Sequence, residues 1–351
     1  MIDTKVNLGG LELATPVVTA SGTFGYGFEY LGAVDYSKLG AVTAKGIRLD
    51  PWPGNAMPRH CEIPGGLVNA IGLQGTGVDH FLDVTVPWYR ECLRASAPAN
   101  QGDSIAAAPA NQGDSIAAPA GRGDSRAAAP ADRGDSCAVA PKLIANIWGG
   151  SVEEYGEVAR RLGDAVDAIE MNVSCPNVKE GGHTFGQDPA VLSRVVAEVR
   201  KATALPLIVK LAPNVPSIVP YAKACEDAGA DALSLINTIP AMVIDIEKRR
   251  PVLANKCGGM SGRNVHPAAV KLVYDAHNAS KLPILAMGGV YEARDAIEFM
   301  LAGASAVAVG TAIFSSPDTV AKVYDGMIEY CERHGFAKIA DLTGALEKSE
   351  P

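Results

Sequence analysis

Eight short runs of the chain are almost continuously apolar: 17–21, 41–46, 143–149, 168–174, 207–212, 232–237, 284–289 and 306–311. Apolarity without the alternation of a half-exposed sheet marks strands covered on both faces. Most gaps between the runs carry a helical period. In 189–203, for example, Val191, Leu192, Val195, Val196 and Val199 share one face, and 219–228 and 78–94 read the same way. Parallel strands need such crossovers. Eight β/α units in series therefore predict an α/β protein of the (β/α)8, or TIM, barrel class. The runner-up is an open doubly wound sheet, but no G-x-G-x-x-G follows the first strand. Ahead of that strand, Val6–Leu8, Gly9-Gly10 and Leu11–Leu13 read as a hairpin capping the barrel floor.

One segment breaks the pattern. From 97 to 138 the chain repeats an Ala/Pro-rich unit with a Gly-Asp-Ser core, its aspartates at Asp103, Asp114, Asp124 and Asp135. Almost nothing in it can be buried, which predicts disorder, and the period is too short for a solenoid. It lies between the 78–94 helix and the 143–149 strand, so it is expected in an αβ loop at the barrel floor. Closure entropy grows only logarithmically with loop length, so an insertion there is tolerated. The expected organisation is one domain, 1–351, with 97–138 inserted into it. Arg-Gly-Asp-Ser occurs at 122–125 and 133–136. An adhesion protein displaying these strings on an inert barrel is the non-enzymatic alternative; drift of a Gln-Gly-Asp-Ser unit is the plainer explanation.

Composition removes other classes. Of 351 residues, 48% are hydrophobic, enough for a large core, and the net charge of −8 lacks the basic footprint of a nucleic-acid surface. No run approaches the roughly 18 apolar residues of a membrane span. The first residues lack the basic start and apolar stretch of a signal peptide. Cys61, Cys92, Cys137, Cys175, Cys225, Cys257 and Cys331 are scattered and form no C-x-x-C. Reduced thiols in a cytoplasm are expected, and no zinc site.

The C-terminal strand ends of a barrel face its chemistry. Here they read Ser21, Lys45-Gly46, Asn146, Asn172 with Cys175, Lys210, Asn237-Thr238, Gly288-Gly289 and Gly310-Thr311. A lysine at the tip of an apolar strand is costly to bury unless a ligand or carboxylate pairs it. Either lysine alone fits a solvated strand end, whereas the whole ring reads as a ligand pocket. Acids are too few there for a metal centre. The MGGV and VGTA turns, each before a helix, suit close approach to an anion. They occupy the usual phosphate position after strands 7 and 8, which fits a flavin mononucleotide or a phosphorylated substrate.

Cys175 follows the fourth strand in NVSCPNVKEGGHTFG, where Pro176 bars immediate helix entry and Gly181-Gly182 suggest a mobile lid. Cys92, Cys225, Cys257 and Cys331 read as inert small hydrophobes. Without an evident histidine partner, Cys175 suits a general base in a closed site better than a hydrolytic nucleophile.

Taken in order, ASGTFGYG (20–27), GN-x-x-PR (54–59), NAIGLQ (69–74), NVSCPN (172–177), VKLAPNV (209–215), INT (236–238), GGMSG (258–262), MGGV (287–290) and AVAVGTA (306–312) resemble dihydroorotate dehydrogenases. More narrowly they resemble the NAD-linked class 1B branch. The resemblance implies a barrel binding FMN and oxidising dihydroorotate to orotate in pyrimidine synthesis. Cys175 would remove the C5 proton while the C6 hydride passes to the flavin. Ser21, Lys45, Gly46, Asn146, Asn172, Lys210, Ile236, Gly262, Gly288, Gly289, Gly310 and Thr311 would hold FMN. Lys45, Asn69, Ala70, Ile71, Gly72, Leu73, Asn172, Asn177, Asn237 and Thr238 would hold the substrate. Asparagine donors and acceptors match the amide-like edges of orotate, and Lys45 its charge.

The resemblance also implies a homodimeric core with a second subunit carrying FAD and a 2Fe–2S cluster, because no cluster-binding cysteine set occurs in this chain. Cys175 separates the chain from membrane-bound relatives, which use serine. NAIGLQ separates it from the fumarate-linked class 1A, which resembles NSMGL; that class and a flavin-barrel dihydropyrimidine dehydrogenase are the enzymatic alternatives. Two positions depart from the family pattern. Gly75-Thr76-Gly77 stands in place of Asn-Pro-Gly, and Trp148 in place of a small residue.

Overall fold

The computed structural model describes residues 1–95, 140–173 and 185–347. The repeat at 97–138, and the 174–184 segment with Cys175, Asn177 and His183, lie outside the described residues. The chain opens with the antiparallel hairpin β1 (Val6–Leu8) and β2 (Leu11–Leu13). Gly9 at its turn lies against the Asp231 carbonyl, where a later barrel strand begins, so the hairpin closes the floor as expected. Strands β3 (Val17–Thr19) and β4 (Ala41–Thr43) begin the barrel, and β5 (His60–Ile63) and β6 (Gly66–Asn69) follow in the next loop. The barrel continues with β7 (Lys142–Ile147), β8 (Ala168–Asn172), β9 (Leu207–Lys210) and β10 (Ala232–Leu235). A long loop then carries β11 (Ile239–Met242), β12 (Ile244–Asp245), β13 (Arg250–Pro251) and β14 (Cys257–Gly262), before β15 (Ile284–Met287) and β16 (Ala306–Val309) complete the wall.

The eight wall strands pair in parallel and close in the order β3-β4-β7-β8-β9-β10-β15-β16. All eight predicted strands are present. Each ends earlier than its apolar run, because the chain leaves the sheet at the rim before the run is over. The helices are α1 (Val78–His80), α2 (Val86–Ala95), α3 (Val152–Leu162), α4 (Pro189–Ala202), α5 (Val219–Asp227), α6 (His266–Ala279), α7 (Ala293–Leu301), α8 (Ala312–Ser315) and α9 (Thr319–His334). Among the described residues none is long and apolar enough to cross a membrane. The α4 start is fixed by Asp188, whose carboxylate accepts from the N–H groups of Ala190 and Val191, with Pro189 in the first turn. Its Leu192, Val195, Val196 and Val199 are buried on the predicted face.

Three features depart from the simple pattern. The β3–β4 crossover has no α-helix, only 3-10 turns at Phe28–Tyr30 and Tyr36–Lys38, packed through Phe24 stacked on Tyr30. The 78–94 helix is interrupted by a π-helical stretch at Phe81–Thr85. Pro87, which has no N–H to offer the preceding turn, accounts for the loosening. Finally, a four-stranded antiparallel sheet, β11-β14-β6-β5, lies outside the barrel wall around its own small core of Val68, Ala70 and Leu253. Periodicity did not indicate it. Its β14 strand is glycine-rich, and the β6–β14 pairing joins loops from distant parts of the chain.

Candidate active site

Strand alternation in β8 points Ala168, Glu170 and Asn172 the same way, and register pairs Asn172 with Lys210 of β9. Both are buried at the barrel mouth. Lys210 Nζ donates to Ser21 Oγ at 3.0 Å, linking β9 to the loop after β3, the strand diametrically opposite. Asn237, just past β10, donates from Nδ2 to Asn172 Oδ1 at 3.2 Å, and its own Oδ1 accepts from the Thr238 N–H at 2.7 Å. Asn146 in β7 is 1% exposed and donates to Glu170 Oε1 at 2.6 Å.

Lys45 follows β4, and its N–H donates to the Gly25 carbonyl at 2.8 Å. Burial pushes its ammonium below the ordinary lysine range; the Glu29 carboxylate opposes that shift, and the Arg59 guanidinium adds to it. The 69–73 segment leaves β6 beside it. Asn69 Nδ2 donates to the Gly259 carbonyl at 3.3 Å. Asn55 donates to the carbonyls of Ile71 and Ala70, at 3.0 Å from its backbone N–H and 2.9 Å from Nδ2. Trp52 Nε1 donates to the Gly72 carbonyl at 3.0 Å, and Arg59 Nη2 to Gln74 Oε1 at 2.6 Å. The GN-x-x-PR stretch thus braces the segment through its backbone, leaving Leu73 in the left-handed region at φ 57°. Thr238 packs directly on Gly259, where a Cβ would lie 1.9 Å from its Oγ1.

Around the rim, Gly288 and Gly289 follow β15, and Gly310 and Thr311 follow β16. Gly289 has φ +77°, and a Cβ there would lie 2.7 Å from His266 Cβ and 2.9 Å from the Gly262 carbonyl, so only glycine fits. His266 Nδ1 faces the Gly288 carbonyl at 2.9 Å, with Nε2 toward Glu298 at 3.2 Å. Thr311 donates to Ser261 Oγ at 2.8 Å, and the Ile236 N–H to the Met287 carbonyl at 3.0 Å. Among the described residues, the N–H groups of Gly289, Val290, Gly310 and Thr311 donate to no protein acceptor. Four unsatisfied donors at neighbouring strand ends suit an anion such as a phosphate.

The departures noted in the sequence have a structural account. Trp148 is buried over Gly46, whose Cβ position lies 3.1 Å from Trp148 Cδ1. Arg48 lies over both Trp148 and Trp52, 4.8 and 5.1 Å from the ring centroids, and bonds Glu154 at 2.9 Å. Thr76 faces the Tyr26 hydroxyl at 3.3 Å, and Gly75 approaches the Gly46 carbonyl. Among the other cysteines, Cys225 and Cys331 are buried as expected, but Cys257 is exposed at the start of β14.

The structure therefore gathers Ser21, Lys45, Gly46, Asn146, Asn172, Lys210, Ile236, Asn237, Thr238, Gly262, Gly288, Gly289, Gly310 and Thr311 at one end of the barrel, with Asn69–Leu73 beside them. Cys175 and Asn177 fall outside the described residues. Sequence reasoning missed Glu170 and His266. An acid in the otherwise apolar AIEMN strand, in phase with Asn172, was the available signal for the first.

A closed parallel barrel with amides, lysines and glycine turns collected at its strand ends places the chain in the α/β-barrel class. The dihydroorotate dehydrogenase family model matches residues 3–330. A Pelobacter propionicus protein is 46% identical over 347 residues, covering 98% of this chain and 99% of its own. Relatives from Geobacter sp. strain M21 and Lachnoclostridium phytofermentans are 43% and 44% identical over 347 residues, covering 98% and 99% of this chain and 98% and 100% of their own. All three are described as dihydroorotate dehydrogenase B (NAD(+)), catalytic subunit. The chain belongs to the dihydroorotate dehydrogenase family and is an oxidoreductase.

Proposed function

We propose that this chain oxidises (S)-dihydroorotate to orotate with bound FMN, as the catalytic subunit of an NAD-linked assembly serving de novo pyrimidine (UMP) biosynthesis. The observation that carries the reading is the meeting of Lys45, Asn172 and Asn237 with the glycine cradle at one barrel end, in a chain of this family. The four free N–H groups and the cramped Gly289 fit a phosphate; Ser21, Lys45, Gly46, Asn146, Asn172, Lys210, Ile236, Gly262, Gly288, Gly289, Gly310 and Thr311 would hold FMN. When bound, FMN supplies the hydride acceptor. Lys45 pairs the substrate carboxylate, and Asn69, Asn172, Asn177, Asn237 and Thr238, with the 70–73 backbone, orient its amide edges. Cys175 Sγ takes the proton from C5.

In this reading FAD and a 2Fe–2S cluster sit on a separate electron-transfer subunit joined to a homodimeric core in the cytoplasm. The relatives' description as a catalytic subunit supports the separate partner. The chain is one domain, with 97–138 an insertion outside the chemistry. An anaerobic visible spectrum before and after L-dihydroorotate tests the proposal. A yellow protein that bleaches in the flavin band supports cofactor and substrate together. One that stays oxidised moves the substrate to another pyrimidine, and a colourless protein that FMN cannot reconstitute removes the cofactor reading.

A further inference from the structure

Glu170 is the one acid among the polar side chains at the β7, β8 and β9 ends, and its side chain is 0% exposed. A carboxylate so buried is costly unless paired. Its Oε1 accepts from Asn146 Nδ2 at 2.6 Å, and Lys210 Nζ stands 3.9 Å away, beyond hydrogen-bond distance. Its Oε2 has no hydrogen-bond partner among the described residues. Lys210, itself 6% exposed in its side chain, gives its hydrogen bond instead to Ser21 Oγ at 3.0 Å. The carboxylate therefore acts on the ammonium through its field, which is strong where water is excluded, and on Asn146 through direct contact. The two side chains it touches or faces are both among those expected to hold FMN.

We propose that Glu170 is a positioning residue for the redox step: it aims Asn146 at the cofactor and, as the buried counter-charge of Lys210, limits how strongly Lys210 favours reduced over oxidised flavin. This rests on the FMN reading above. Reduction brings negative charge to the ring, and Lys210 stabilises that charge. The Glu170 carboxylate offsets part of the lysine's field in both states, so the flavin is less oxidising than Lys210 alone would make it. A merely structural Glu170 would leave the potential alone.

The test is the FMN midpoint potential of wild type and Glu170→Gln, a variant that keeps the size and the Oε1 acceptor for Asn146 while removing the charge. The expected result is preference for reduced over oxidised FMN raised about tenfold or more, a positive shift of about 30 mV or more for a two-electron couple. Lys210→Met alone should lower the potential, because the ammonium that favours reduced flavin is gone. An unchanged potential in Glu170→Gln overturns the proposal, and so does a Lys210→Met variant whose potential does not fall. If Glu170→Gln fails to fold or to take FMN, the apo forms decide the pairing. Lys210→Met leaves a lone buried carboxylate, so Glu170→Gln/Lys210→Met should melt above it. A double variant melting at or below Lys210→Met refutes the pairing. A wild type that takes no FMN removes the cofactor reading, while the apo comparison still decides whether Glu170 and Lys210 are coupled.

Discussion

Asn237 and Asn172, 65 residues apart, join side chain to side chain at 3.2 Å across the end of β9, the strand that separates theirs. The bond holds the two amides against each other, so in the proposed function a planar, amide-edged substrate meets groups already oriented. Asn237→Ala takes away the donor to Asn172 and one recognition group together. The expected cost is about 1–3 kcal/mol in substrate binding, read as a KM for dihydroorotate raised about 5- to 150-fold. A KM equal to wild type would show that the pair has no part in recognition.

Lys45 gives a pH prediction with a definite sign. Its ammonium is held below the ordinary lysine value of about 10.4 by burial. Below the lowered value Lys45 is charged and, in the proposed function, would pair with the substrate carboxylate; above it the charge and the pairing would be lost. KM for dihydroorotate should therefore rise on the alkaline side, beginning below the pH at which an exposed lysine titrates. Lys45→Met should bind weakly at every pH and lack that alkaline limb, as a KM profile of both proteins will reveal.

Gly289→Ala places a Cβ 2.7 Å from His266 Cβ at φ +77°. Left-handed backbone at a non-glycine residue costs about 1–3 kcal/mol. Moving the turn also displaces the N–H groups of Gly289 and Val290. FMN affinity should fall about tenfold or more by fluorescence titration, with a lower melting temperature; unchanged affinity would mean that this turn does not hold the phosphate.

Cys175→Ala should retain FMN and lose at least roughly 100-fold in the rate of flavin reduction by dihydroorotate, the scale of a lost general base. Cys175→Ser should be slow and recover at high pH, because a hydroxyl ionises less readily than a thiol. Rapid reduction by the alanine variant in stopped-flow absorbance would dismiss the assignment.

Deleting 97–138 should leave flavin content, turnover and melting temperature close to those of the full chain. The described residues that flank the repeat lie at the end of α2 and just ahead of β7, at the barrel floor. Loss of both flavin and turnover on deletion would mean the repeat reaches the chemistry.

The wall was legible because eight buried strands must be apolar throughout, and the glycine turns after β15 and β16 because close backbone approach demands glycine. The outer sheet was not. Gly65, Gly66, Gly258, Gly259 and Gly262 dilute any β signal, and β14, which joins β6 into the sheet, lies far from it in sequence. Of the polar rim, the strand-end residues could be read directly. Glu170 could not, because a single charge inside an apolar run reveals its role only once Asn146 and Lys210 are seen beside it. Trp148 likewise reads as a misfit until Arg48, Trp52 and Gly46 are found around it.

The pairing of β6 with β14 also bears on the order in which the molecule assembles. Asn69 and Gly259 lie 190 residues apart, and contacts so distant form slowly because closing a long stretch of chain costs entropy. The loop expected to grip the substrate therefore takes its shape from a strand that comes 190 residues later in the chain. A fragment ending before β14 would thus lack the brace on Asn69 however well its first strands had formed.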